Sequence, residues 1–255
     1  MTFASPSLRF SANLGFLWND IPLPDAIYAA KRAGFAAVEC HWPYDTPPAE
    51  VRKALAETEM KMLGINTSKG GAADFGLSAC LDRQAEARAA LDQAMDYAEA
   101  IDAKAIHVMA GIAEGPAAHE TFLENLNYAA SRTRRTLLIE PINPFDAPGY
   151  FLKTTDQAAA ILRSLDLPNI RLMFDCYHVA RAEGAVIARL GKLKPLIGHI
   201  QIASVPDRQA PDHGELDYAE VFATLQDIGW DRPIGAEYKC DGPPEATLRW
   251  LQENA

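Results

Sequence analysis

Short apolar runs alternate with longer segments of helical spacing along the whole chain, about eight times at roughly 30 residues per repeat. A buried parallel strand reads as a near-continuous apolar run, and reaching its parallel neighbour needs a crossover of helix length. Strands are expected at 8–14 (LRFSANL), 37–40, 61–66, 105–109, 137–140, 170–174, 197–202 and 233–236. Helices are expected over 24–32, from Pro47-Pro48 onward, over 83–100 and 120–134, from an N-cap at Thr154-Thr155-Asp156 to 165, and over 186–190, 218–227 and 245–252. Gly34 and Gly229 mark two of the stops, and proline is at home in a first helical turn. No shift of composition divides the series, so one α/β domain over 1–255 is expected, a single (β/α)8 TIM barrel. An open doubly wound sheet would carry a Gly-rich phosphate turn after its first strand, and Asn13-Leu14-Gly15-Phe16 is not one.

Composition narrows the function. The 255 residues are 49% apolar, enough for a sizeable core and against disorder. Lys and Arg number 24 against 34 Asp and Glu, a net charge of -10, which argues against nucleic acid as a partner but leaves room for a local basic pocket. No apolar run approaches the ~20 residues of a membrane span. Residues 1–10 lack a charged stretch followed by an apolar one, so no secretory signal is expected and the location is read as cytoplasmic. Cys40, Cys80, Cys176 and Cys240 are scattered, as suits reduced thiols, and the Asn66-Thr67-Ser68 sequon is read as chance.

The chemistry lies in what ends each run. The fifth ends in Glu140 (LLIEPIN), the sixth in Asp175 (LMFDCYH) and the eighth in Glu237 (IGAEYK), and the seventh carries Gln201 (GHIQIA). In a barrel these strand ends share one open face, where active sites are built. Carboxylates at the ends of buried strands need compensation, and a divalent cation supplies it. Three carboxylates and an amide carbonyl make an all-oxygen set that suits Mg²⁺ or Mn²⁺. Any one of them taken alone could be a salt bridge or a loop hydrogen bond.

His178, Arg208, His213, Lys239, His107, Asn13 and Lys69 are expected on the same face. Lys239 is placed there because it follows Glu237 by two residues, which on an extended chain share a side. Each has a plainer alternative: His107 a core histidine, Lys69 a solvated loop lysine, Arg208 a surface ion pair, Asn13 a loop cap. Phe16, Trp18, Trp42 and Tyr44 would wall the pocket or cover the rim. The chain has no G-x-S-x-G, Walker, H-E-x-x-H or dinucleotide motif.

With these residues in view, the sequence resembles the xylose-isomerase-like barrel superfamily, and within it the hydroxypyruvate isomerase family. The segments that carry the likeness are RFSANL (9–14), GFAAVEC (34–40), HVMAG (107–111), ENLNYAA (124–130), IEPIN (139–143), FDCYH (174–178), GHIQIA (198–203), GELDY (214–218) and EYK (237–239). The resemblance implies that Glu140 and Glu237 bind metal and move the proton, that Asp175 and Gln201 complete the metal shell, and that His178 and Arg208 contact substrate oxygens. It implies a metal-dependent isomerase of a small hydroxy-keto acid in carbohydrate-acid metabolism. Conversion of hydroxypyruvate to tartronate semialdehyde is the first reading, isomerisation of 2-oxo-tetronate the alternative. The loop Asn66-Thr67-Ser68-Lys69-Gly70-Gly71 departs from the N-x-P-x-G-D sequence of many relatives, which leaves the substrate open. A ketose 3-epimerase and a non-catalytic ligand-binding barrel remain as rivals. A DNA-repair endonuclease of the superfamily fits six histidines and a net charge of -10 poorly. Monomer or homo-oligomer is not decided by the sequence.

Overall fold

The protein is described by a computed structural model over residues 8–254. Positions 1–7 and 255, on which most of the leader reading and the ends of the 1–255 domain fall, lie outside the described residues. Eight parallel strands close into a barrel in chain order: β1 (Phe10–Asn13), β2 (Ala37–Cys40), β3 (Met62–Asn66), β4 (Ala105–His107), β5 (Thr136–Ile139), β6 (Ile170–Asp175), β7 (Ile197–Ile202) and β8 (Ile234–Ala236), with β8 pairing back to β1. Around them run α1 (Leu23–Arg32), α2 (Pro48–Thr58), α3 (Gln84–Ile101), α4 (Gly115–Arg132), α5 (Thr155–Leu165), α6 (Cys176–Ala182), α7 (Val186–Leu193), α8 (Tyr218–Asp227) and α9 (Arg249–Asn254). None of the helices among the described residues is long and apolar enough to cross a membrane.

Strand alternation sorts the side chains of the barrel except on β3, where the register against β2 shifts and Met62 and Ile65 both face the outer core. Successive residues face opposite sides. Phe10 and Ala12, Val38 and Cys40, Ile106 and Val108, Leu137 and Ile139, Leu172 and Phe174, Ile200 and Ile202, and Ile234 and Ala236 face outward and join the large apolar core under the helices. The residues between them face the barrel axis. Ala105, Leu138 and Met173 form a separate small apolar cluster there. One step further toward the strand C-termini, the same parity gives His107, Glu140 and Asp175. On the other strands it gives Asn13, Glu39 and His41, His199 and Gln201, and Gly235 and Glu237. Register aligns Asp175 with Gln201, and Gln201 with Gly235.

The helices hold this frame with ordinary signals. Thr154 caps α5 by accepting from the Gln157 N–H, and Asp217 caps α8 from the Ala219 N–H; such caps contribute about 1 kcal/mol each. Pro sits in the first turn of α1, α2 and α4. Several expected bounds shift, three of them at the ends of the site-bearing and closing elements. β4 ends at His107 rather than 109. α4 begins at Gly115, its Pro116 standing in the first turn, not at 120. The last helix is a 3-10 turn, Pro244–Thr247, followed by the short α9. α6 was not expected at all. It starts on the residue after β6, with Asp175 both ending the strand and capping the helix through the Tyr177 N–H at 2.8 Å.

Candidate active site

The C-terminal ends of the strands surround a cavity of about 270 Å³. Its floor is polar, with His41, His107, Glu140, His178, Arg208 and Glu237, and Phe16, Trp42, Phe75, Met109 and Ile142 form apolar walls. Each floor residue comes from the inward parity of a strand or from the segment just beyond it, which for His178 is the first turn of α6.

Glu140, Asp175, His178 and Glu237, all buried, each offer a ligand atom within 4.8 Å of the others. Gln201 is buried on β7 beside Asp175. Glu140 Oε1, Asp175 Oδ2 and Gln201 Oε1 are enclosed acceptors with no hydrogen-bond partner. Buried acceptors are rarely left so, and the exceptions call for an explanation.

The two glutamates are held in opposite ways. Glu237 has both oxygens occupied: Oε1 accepts from Asn13 Nδ2 at 2.8 Å and lies 3.0 Å from His41 Nε2, and Oε2 accepts from Arg208 Nη2 at 2.6 Å. Burial pushes its carboxyl up, but the charge of Arg208, with His41, outweighs that and holds it well below the usual range. Glu140 has only His107 Nδ1, 3.7 Å from Oε2, and His178 Nε2, 4.0 Å from Oε1. Burial, then the charges of Glu237 and Asp175, push it well above the usual range. Burial and Glu237 likewise raise Asp175, to about 7. Without a metal ion Glu140 and Asp175 therefore favour keeping their protons, while Glu237 stays ionised.

His107 and His178 are neutral. Burial brings His107 down to about 4, and burial together with Arg208 holds His178 well below 6.5. For His178 the tautomer follows from its neighbour. Asn143 Oδ1 accepts from the Phe145 and Asp146 N–H groups, so its Nδ2 must face the ring, 2.6 Å from Nδ1. The Asn143 backbone N–H also points at Nδ1, at 3.3 Å. A nitrogen facing two donors is an acceptor, so the ring proton sits on Nε2, 3.6 Å from Asp175 Oδ2. His178 thus presents a donor to the cavity and has no free lone pair for a metal.

The expected residues divide. Glu140, His107, His178, Arg208 and Glu237 line the cavity, Asp175 is buried within 4.8 Å of Glu140, His178 and Glu237, and Gln201 is buried next to Asp175 on β7, where it borders a separate small cavity inside the barrel. Asn13 does not line the larger cavity but orients Glu237, and accepts from the Gly15 N–H. Lys69 sits at the rim with its Nζ 5.3 Å from the Trp42 ring centroid. Lys239 is a correction: its side chain is exposed and outside the cavity. β8 ends at Ala236, so the alternation that placed Lys239 inward no longer applies, and it is the Lys239 backbone that matters, donating to the Arg208 carbonyl at 2.7 Å. His213 is also elsewhere, between Asp207 and Asp212. Phe16 and Trp42 are walls, as expected. Trp18 is instead buried in the core, and Tyr44 stacks edge-on with Tyr97.

Sequence reading missed His41, Asn143, Asp146 and the buried pair Glu39–His199, whose atoms are 2.6 Å apart across the barrel. His41 and Glu39 were open to the parity argument, being inward positions at the end of the second strand. Asn143 and Asp146 lie in an irregular loop and carry no periodic signal.

A family model described as xylose isomerase-like TIM barrel matches residues 27–254. A 2-oxo-tetronate isomerase of Cupriavidus necator is 40% identical over 253 residues, covering 96% of this chain and 97% of the relative. A putative hydroxypyruvate isomerase of Danio rerio is 40% identical over 264 residues, covering 96% and 95%. A crystal structure of a Brucella melitensis protein described as AP endonuclease, family 2, superposes with a TM-score of 0.92 at 35% identity, covering 96% and 98%.

Proposed function

The chain belongs to the xylose isomerase-like TIM barrel family, and from that premise we propose that it is a metal-dependent isomerase of a small hydroxy-keto acid, acting in the cytoplasm. Hydroxypyruvate to tartronate semialdehyde is the first reading; 2-oxo-tetronate isomerisation is the second, favoured by the relative from Cupriavidus necator. The observation that carries the proposal is the pair of buried, unpartnered acceptors Glu140 Oε1 and Asp175 Oδ2 gathered with Glu237, beside a third unpartnered acceptor, Gln201 Oε1, on the strand paired with that of Asp175. This donor set fits a hard divalent cation, Mg²⁺ or Mn²⁺, held by Glu140, Asp175, Gln201 and Glu237. Bound there, the cation would act as a Lewis acid, drawing electron density from the substrate's carbonyl and hydroxyl oxygens.

The residues supply the proton movements. In hydroxypyruvate a proton must pass from C3 to C2, and another from the C3 oxygen to the C2 oxygen, through an enediol. Glu140 and Glu237 are the carboxylates we assign to the carbon proton. Glu140 is the less restrained, since both oxygens of Glu237 are already bound. His178, neutral with its proton on Nε2, hydrogen-bonds a substrate oxygen and serves the oxygen-to-oxygen transfer. His107, whose two ring nitrogens are buried and unpartnered, offers a second contact. Arg208 is the group suited to the substrate carboxylate, because a guanidinium binds it bidentately. The apolar walls keep water from the intermediate.

The Brucella protein's description does not transfer well. Among the described residues Arg208 is the one Lys or Arg lining this cavity, and it is already paired with carboxylates, whereas DNA binding needs a basic groove.

The test is a panel of hydroxypyruvate, 2-oxo-tetronate and free ketoses, assayed after chelation and again with Mg²⁺ or Mn²⁺. Proton NMR in D₂O separates a moved carbonyl from an inverted stereocentre, the mark of an epimerase. Glu140→Gln and Glu237→Gln should each lower kcat by about 10³-fold with the fold intact. Near-normal turnover in either variant, or full activity after chelation, would sink the proposal.

A further inference from the structure

Arg208 does not point to open solvent. Its guanidinium lies 4.9 Å from the Phe16 ring centroid and 5.1 Å from that of Tyr177. Nη2 is 2.6 Å from Glu237 Oε2 and 3.8 Å from Asp175 Oδ2, and Nη1 is 3.3 Å from Asp146 Oδ2. Asp146 is in turn fixed by the Tyr177 hydroxyl at 3.1 Å. The backbone of Arg208 is left-handed, with φ of 58°, a conformation that costs a residue with a side chain energy and is retained where the surroundings demand it. One cation is thus held against two of the carboxylates assigned to the metal, with a third carboxylate, outside that set, on its other side.

We propose that Arg208 is the resident counter-ion of the acidic cluster, and that its guanidinium and a divalent cation compete for Glu237 and Asp175. The inference rests on the metal-dependent reading above. Gathering three buried carboxyls leaves Glu140 and Asp175 reluctant to ionise, and Arg208, 2.6 Å from Glu237 and 3.8 Å from Asp175, stabilises the negative charge the cluster does carry. A divalent cation at the same carboxylates stabilises more of it and repels Arg208. The guanidinium then keeps Asp146 as its partner and its faces stay on Phe16 and Tyr177, while the edge that held Glu237 becomes available to an anion. The carboxylate-binding group of the site is therefore engaged until metal has bound, which orders the binding: cation first, acid second. Asp146 is a positioning residue in this scheme, drawing Arg208 off the cluster.

Calorimetric titration of the chelated full-length protein with Mn²⁺ tests it. Arg208→Met should bind Mn²⁺ at least about tenfold more tightly than the wild type, because a like charge beside the site is gone. Arg208→Lys should stay within about threefold of the wild type, since it keeps the charge. Asp146→Asn should bind Mn²⁺ more weakly, by roughly three- to tenfold, and should have no such effect in the Arg208→Met background. In chelator Arg208→Met should melt below the wild type, and Mn²⁺ should raise its Tm by more. Wild-type protein that binds Mn²⁺ while Arg208→Met binds it equally or less tightly overturns the inference and leaves the metal reading intact. Absence of Mn²⁺ binding in all variants overturns both. If Arg208→Met does not fold without metal, the Asp146→Asn arm decides: equal or tighter binding there refutes the competition.

Discussion

Asn143 donates to one atom of His178 twice, from its backbone N–H at 3.3 Å and from its side-chain amide at 2.6 Å, both to Nδ1. That places the ring proton on Nε2 and aims it at the carboxylates. Asn143→Asp alters this with little other change. The new carboxylate can still accept the Phe145 and Asp146 N–H groups, so the loop should persist. Its second oxygen, however, now faces Nδ1 and calls for a proton there. We expect kcat to fall about 100-fold, with a smaller change in KM. The ¹⁵N shifts of the His178 ring should report a protonated Nδ1. Unchanged shifts, or unchanged kcat alongside altered shifts, would refute the role given to the tautomer.

The histidines separate in pH. Burial holds His107 at about 4, whereas Asp212 and Asp207, by hydrogen bonding, raise His213 above 6.5. In chelated protein the His107 Cε1 proton should show no inflection between pH 5.5 and 8, while that of His213 titrates above pH 6.5. The stability sign follows. Unfolded chains take up the His107 proton near 6.5, the folded protein only near 4, so this contribution is complete above 6.5 and is lost as pH falls toward 4. Its slope is at most about 1.4 kcal/mol per pH unit. His107→Gln should therefore lose less stability than the wild type over that window in urea titrations. Equal slopes would contradict the assignment.

Much of this site was legible from strand alternation alone. Glu140, Asp175, Gln201 and Glu237 stand one inward step beyond apolar residues whose own parity is fixed by the helices. The period of 2 carries that information wherever the strand continues, and misleads where it stops, which is why Lys239 was placed inward. α6 was hidden because a seven-residue helix offers too little periodicity, and because its cap, Asp175, was already read as a strand end and ligand. The contacts of His41, Asn13 and Arg208 with Glu237 join residues 196, 224 and 29 positions apart. Closure of β8 onto β1 brings Asn13 and His41 to Glu237, the β7–β8 pairing brings Arg208, and no local spacing encodes either.

Lys239 gives a direct check on where alternation ends. Its ammonium is exposed and has no ion-pair partner among the described residues, while its backbone N–H supports the Arg208 carbonyl. Lys239→Ala keeps the backbone bond. Its kcat and KM for the hydroxy-keto acid should stay within about twofold of the wild type, in keeping with the small effect of exposed charges. A tenfold rise in KM would instead return Lys239 to the carboxylate-binding group and remove the case for Arg208 as its sole cation.

Gly15 lies against the His41 ring. A Cβ at position 15 would meet His41 Nδ1 at 2.2 Å and Cγ at 2.3 Å, distances no packed carbon tolerates. The ring is also in edge-on contact with Phe16, at 5.1 Å between centroids, and its Nε2 is at Glu237. Gly15→Ala must therefore displace the ring from Glu237. Since Gly15 also donates its N–H to Asn13 Oδ1, Asn13 can be disturbed with it, so a second variant is needed. His41→Asn removes the ring and leaves Gly15 unaltered. If holding Glu237 in place is what matters, both variants should lower kcat by about 10- to 100-fold, with a smaller change in KM. Combining them should cost no more than either alone, because each removes the same hydrogen bond. Additive losses would mean that Gly15 acts through Asn13 or the β1 loop, and unaltered kcat in His41→Asn would show that Asn13 and Arg208 suffice to hold the carboxylate.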